Sequence, residues 1–239
     1  MGALIKRELR ALKLGNDNNP ALYGFFVIGI PVIMWLLGPE FTGFYDAEGF
    51  KTSMSVVGMV LVMQIVSYSL EREEANRQMT FLQTLPVKKS QIVSAKFISV
   101  LSLSGITIVW INLVIILTMF ISEHRMEESG LLLSFFSSLI IFIEASTLLT
   151  YFFKGSRGNF IIGIISIFIW GGFHGLSGLF LKSMGMEPGI EVFAVYMSLS
   201  LAIYLICWGL SVRRVTKKGF PLNKEHKTDQ MKRSGGGAK

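Results

Sequence analysis

Glu71 to Lys96 reads EREEANRQMTFLQTLPVKKSQIVSAK, a charged island set between two long apolar runs. In its first half Ala75, Met79 and Leu82 recur at i, i+4 and i+7, with Glu71, Arg72, Glu73, Glu74 and Arg77 spread around them. That spacing predicts a short amphipathic helix lying on a membrane surface. Pro86 ends it, because proline has no backbone donor and drives Leu85 out of the helical region. The chain must then turn, and Ser90, a good N-cap, is expected to start the next helix.

The flanking runs account for the membrane. Hydrophobic residues make up 51% of the 239-residue chain and the mean hydropathy is +0.53, too apolar for a soluble domain. Six apolar segments, near 20–38, 52–70, 93–120, 131–153, 159–181 and 191–212, each approach the roughly 20 residues that cross about 30 Å of hydrocarbon. The third run can be helical from Ser90 to Phe120, about 46 Å at helical rise, so its start should project beyond the bilayer and present the island to a soluble partner. An all-α membrane protein of six spans is the expected fold.

Charge sets the orientation. With the N-terminus inside, twenty Lys and Arg fall on the cytoplasmic side, against Lys51, Arg125 and Lys182 on the other. Cytoplasmic loops carry such an excess, so both termini and the island are expected in the cytoplasm. The same bias explains the net charge of +7. No basic patch is interleaved with aromatics outside the apolar runs, so nucleic acid is not an expected partner. The one cysteine, Cys207, lies within an apolar run and has no intrachain partner to bridge.

At the start, Leu4, Ile5, Leu9 and Leu12 share one helical face and Lys6, Arg7, Arg10 and Lys13 the other. Residues 1–15 are therefore expected to form an interfacial helix, or else a basic flank that fixes topology. No small-x-small cleavage site follows the first apolar run, which should be retained as a span. The six-span unit is bounded at 16–215, with the coupling segment at 71–90, and the basic tail 216–239 is expected to be flexible.

Several of these residues carry a family resemblance. Met79-Thr80-Phe81-Leu82-Gln83-Thr84-Leu85-Pro86-Val87, the basic pair Lys88-Lys89, then Ile92-Val93-x-x-Lys96, together with the Lys6-Arg7-Glu8-Leu9 opening, resemble permease subunits of type 2 ABC transporters, which are mostly exporters. The likeness runs from residue 1 to about 215. It implies an interfacial helix before the first span and a coupling helix between spans two and three that docks on a separate ATPase subunit. Arg72, Glu73, Glu74, Arg77, Met79, Phe81 and Leu82 are the residues placed at that contact. It further implies two permease subunits, identical or paralogous, in a bacterial cell membrane, with ATP and magnesium held by the ATPase partner. Small six-span members of the family include exporters of antimicrobial and other amphipathic peptides.

The chain itself has no nucleotide-binding loop. Lys182-Ser183 follows Leu181 rather than glycine, and Lys154-Gly155-Ser156 has the wrong order for a phosphate-binding lysine. A rival reading is an intramembrane CAAX-type metalloprotease, because Glu73-Glu74-x-x-Arg77 is one residue short of that family's EExxxR pattern and Trp170-x-x-x-His174 resembles its second motif. Depth opposes it: His174 lies about 22 Å into its span, while metal ligands must sit within about 2–2.2 Å of the ion.

Inside the spans, Glu144 is a titratable acid whose insertion costs about 2.5–3.5 kcal/mol, so it should face the bundle interior or a wet cavity. It either lines a translocation path, with Gln64 as its expected partner, or hydrogen-bonds a neighbouring helix as a neutral acid. Asn112 and His174 fall at similar depths and are expected either to join the third and fifth spans or to line an exit. Gly171, Gly172, Gly175, Gly178 and Gly185 with Pro188 suggest either a broken, re-entrant helix or close helix packing through Gly171-x-x-x-Gly175.

Overall fold

Alanine, leucine, glutamate and arginine all favour helix, and from Gly58 to Pro86 no glycine or proline interrupts the chain. In the computed structural model, which describes residues 2–12, 47–76, 81–82, 84, 86–121, 129–155, 159–184 and 190–221, the helix that carries this stretch runs unbroken from the apolar segment into the charged one. The helices are α1 Gly2–Leu12, α2 Ala47–Ala75, α3 Lys89–Ile121, α4 Ser129–Lys154, α5 Asn159–Ser183 and α6 Ile190–Lys218, and no strand occurs among the described residues. Lys89–Leu113, Phe135–Lys154, Ile161–Phe180 and Ala194–Lys218 are long and apolar enough to cross a bilayer. The expected first span, 20–38, lies outside the described residues.

Three local expectations change. Glu71 to Ala75 form the last turns of α2, closed by a 2.9 Å bond from Asn76 N–H to the Arg72 carbonyl, so the expected short helix does not begin there; Phe81, Leu82 and Thr84, further on, are helical. The third helix starts before Ser90: the N–H groups of Gln91 and Ile92 both donate to the Lys88 carbonyl, which puts Lys88 at the N-cap. Finally, α5 is continuous through Gly171, Gly172, Gly175 and Gly178, so no break occurs before Ser183. An unsatisfied backbone group in hydrocarbon costs several kcal/mol, more than the roughly 1 kcal/mol penalty of a helical glycine. Nor do these four glycines pack closely on other described residues, none of which lies within 4 Å of where their Cβ atoms would be.

At the centre stands α4, which touches α2, α3, α5 and α6, while α1 lies across α3 and α2. One aromatic knot joins three helices: Phe97 of α3 stacks between Phe152 of α4 and Trp208 of α6, with Tyr204 at its edge. The hydroxyl of Tyr204 donates to the Phe97 carbonyl at 2.6 Å, and Trp208 Nε1 donates to Ser94 Oγ at 3.0 Å. In hydrocarbon, where burial by itself adds little, such packing and interhelical hydrogen bonds hold helices together. Ser146 and Ser166 (2.7 Å) tie α4 to α5 in the same way.

Both α4 and α6 stop on a glycine with positive φ. Gly155 (φ 95°) and Gly219 (φ 77°) donate to Tyr151 and Val215, four residues back, each at 2.9 Å. Gly155 is also tight, since a Cβ there would lie 3.2 Å from a carboxylate oxygen of Glu74. Gly155→Ala is therefore expected to lower stability by about 1–2 kcal/mol, the cost of a left-handed L-residue, and to loosen the α2–α4 contact. Thermal unfolding in detergent measures it; an unchanged midpoint would mean that the helix end relaxes freely.

Candidate functional site

The base of the island is a buried ion cluster. Two charged residues sit where apolar ones are expected. Glu8 falls on the face of α1 that carries Leu4 and Leu12, and Lys96 follows Ile92 and Val93 into the apolar run of α3. Packing α1 against α3 and α2 brings both side chains inside, together with Glu73 from the last turn of α2. Lys96 Nζ lies 2.5 Å from each carboxylate oxygen of Glu73 and 3.1 Å from Glu8 Oε2. Arg7 holds the other oxygen of Glu8 at 2.6 Å. From α4, Tyr151 donates to Glu73 at 3.5 Å and sets its ring 5.7 Å from Nζ. Four helices thus meet on one lysine.

The two carboxyls are not equivalent. Burial raises both and Lys96 lowers both; at Glu8 the added pull of Arg7 prevails and holds the carboxyl below the ordinary carboxylate range. At Glu73 burial, helped by the facing charge of Glu8, prevails over Lys96 and pushes the carboxyl up. Their contributions to stability therefore change with pH in opposite directions. Glu8 contributes above its unfolded pKa and loses that contribution as pH falls through its folded value, whereas the contribution of Glu73 is lost as pH rises.

The expected contact residues divide into inward and outward sets. Arg72 is exposed on the last turn of α2, whereas Glu73 is 2% exposed and faces Lys96, so it is not part of an outer surface. Glu74 is half-buried against Gly155 at the end of α4. Leu82 is 1% exposed and joins the core, while its neighbour Phe81 is 63% exposed. A 2.7 Å bond from Thr84 Oγ1 to the Phe81 carbonyl closes the local turn. Arg77 and Met79 lie outside the described residues.

Among the described residues, no hydrogen bond or ring contact joins the four residues expected along a path. Gln64 is exposed on α2, whereas Glu144 is 1% exposed. Glu144 Oε2 has no hydrogen-bond partner among the described residues. Asn112 donates to Ile108 of its own helix at 2.6 Å. His174 sits between Phe135 of α4 and Tyr196 of α6, at 4.7 and 4.3 Å between ring centroids, so it joins α5 to α4 and α6 and not to α3. Beside it Ser177 bonds the Tyr196 hydroxyl. Helix packing accounts for this, since α5 packs chiefly on α4.

Glu8 and Lys96 lie in the two stretches that carry the family resemblance, but the motif reading gave neither a role in the site. Their signal was a charge at a position of apolar periodicity, which in a packed bundle demands a buried partner.

Glu73 and His174 belong to separate clusters, and no three His, Cys, Asp or Glu side chains among the described residues are grouped to hold a metal. Nothing in this arrangement favours the protease reading. The helices and the ion cluster define a polytopic, all-helical membrane protein with a charged, membrane-adjacent end. A family profile described as "ABC-2 family transporter protein" matches residues 22–215, and the chain belongs to that family. Comparison with curated proteins and with solved structures finds no match.

Proposed function

We propose that this chain is the membrane subunit of an ATP-driven exporter, with six spans and both termini in the cytoplasm of a bacterial cell. Two such subunits, identical or paralogous, form the path, and a separate ATPase binds ATP and magnesium. The hydrolysis is the partner's; this chain supplies the path and the coupling. Supporting the reading are the family match over 22–215 and the charge asymmetry of the loops. The observation that carries it is Phe81, an exposed aromatic anchored by buried Leu82, at the end of the bundle where α2 stops and α3 begins. Aromatic side chains in such positions are common centres of protein contacts.

Cargo of the amphipathic or hydrophobic peptide class fits the 19 Phe and 12 Met of the chain, since flexible Met side chains adapt to varied apolar partners. The broad exposed face of α5, with Phe168, Leu176 and Leu179, is available to lipid or to the second subunit. Co-expression with a tagged ATPase partner tests the assignment. Recovery of a stoichiometric complex whose ATP hydrolysis rises with an added synthetic amphipathic helical peptide is the expected result. Purification of the chain without any ATPase, together with peptide-bond cleavage by the isolated, zinc-loaded protein, would replace the transporter reading with the protease one.

A further inference from the structure

The buried ion cluster sits at both ends of the proposed coupling segment. Glu73 lies two residues before the end of α2, and Lys96 lies about two turns into α3. Their contact therefore closes residues 74–95 into a loop stapled at its base, with Phe81 outside and Leu82 inside. Through its third contact, to Glu8, the same ammonium reaches α1. A fully buried ion pair is weak support for stability, because well-packed apolar side chains hold helices as firmly. What it adds is geometry: an ammonium gripping two carboxylates on separate helices fixes where both stand.

We infer that Lys96 is the positioning residue of the coupling segment: by holding Glu73 before it and Glu8 of α1, it makes the end of α2, the start of α3 and α1 move together when a partner pushes on the segment. This rests on the transporter reading proposed above. Without the grip, force on Phe81 would be spent on rearranging the loop. With it, the force reaches α3, whose continuous helix leads into the bundle. Glu8→Gln separates the two branches, since it weakens the link to α1 while leaving the Lys96–Glu73 pair in place. The triple variant Glu8→Gln, Glu73→Gln, Lys96→Met removes the grip and leaves no fully buried charge behind, since Arg7, which loses its carboxylate, is half-exposed.

The test uses the complex of the full chain with its ATPase, in nucleotide-free form and trapped with ADP and vanadate. Two quantities are read: hydrogen exchange of residues 2–12, and ATP hydrolysis per mole of recovered complex relative to the ATPase alone. In the unmodified complex, trapping is expected to change exchange across α1. In Glu8→Gln that response disappears although complex yield and thermal midpoint persist. In the triple variant, hydrolysis per complex falls by about tenfold or more, within the usual range of coupling between sites. A purely structural role would lower yield and midpoint without touching either quantity. The idea fails if Glu8→Gln keeps the α1 response, or if the folded triple variant hydrolyses ATP at the unmodified rate. Absence of any ATPase complex with the unmodified chain would instead overturn the transporter reading, and this inference with it.

Discussion

Phe81→Asp is expected to abolish the ATP hydrolysis that the chain elicits from its partner, while the folded protein is recovered in normal yield. Phe81 is 63% exposed, so its own fold loses little when the ring is replaced. Truncating a central aromatic anchor of an interface costs about 2–4 kcal/mol, which is roughly 30-fold to 1,000-fold in affinity. Burying a carboxylate at the same point adds a desolvation cost. The neighbouring position gives the contrast. Leu82→Asp puts that charge into the core, where Leu82 is 1% exposed, and should remove the folded protein altogether. Exposed Arg72 should matter far less, since surface ion pairs are worth about 0–1 kcal/mol and mostly tune specificity. Co-purification and hydrolysis rates at two ionic strengths separate these cases. A Phe81→Asp complex that forms and hydrolyses ATP normally would show that the ATPase docks elsewhere.

Lys96→Met should be the most damaging single substitution at the ion cluster. Among the described residues it leaves Glu8 and Glu73 buried with Arg7 as their only remaining cation, and the ion pair Arg7 makes is with Glu8. Removing one partner of a buried charge pair costs about 3–5 kcal/mol. The pH dependence identifies the cause. Without Lys96 both buried carboxyls lose a cation that lowers them, so both folded-state pKa values move up, and stability is lost as pH rises through a folded pKa that has moved up. The deficit of Lys96→Met relative to the unmodified protein should therefore be larger at pH 8 than at pH 5. Thermal unfolding in detergent at the two pH values measures it, and a deficit independent of pH would assign the loss to packing around the methylene stem.

Much of the fold was legible because helix formation in a membrane is a local matter. Every backbone group must be satisfied within its own helix, so a long apolar run such as Val93–Phe120 can hardly be anything else, and α3 spans Lys89–Ile121. The positions of Pro86 and the charged island follow from the same short-range chemistry, as does the all-helical class. Of the residues that the resemblance places at the partner contact, Phe81 and Arg72 are exposed. Glu73 was read with them, and it is buried. One position along a helix turns a side chain by about 100°, and whether that turn faces water or a neighbour depends on the helices packed beside it. The approach of α1 and α3 decides it for Glu73, and that approach also gives Glu8 and Lys96 their meaning. Likewise, depth along a helix places His174 at a level but not against a partner; the rings of Phe135 and Tyr196 supply the partner. The sequence alone determined that these stretches are helical and which one is charged, because both depend on neighbours within a few residues. Only the tertiary structure decided that one lysine holds Glu8, 88 positions earlier, and Glu73, 23 positions earlier, because a buried charge selects its partners by proximity in space.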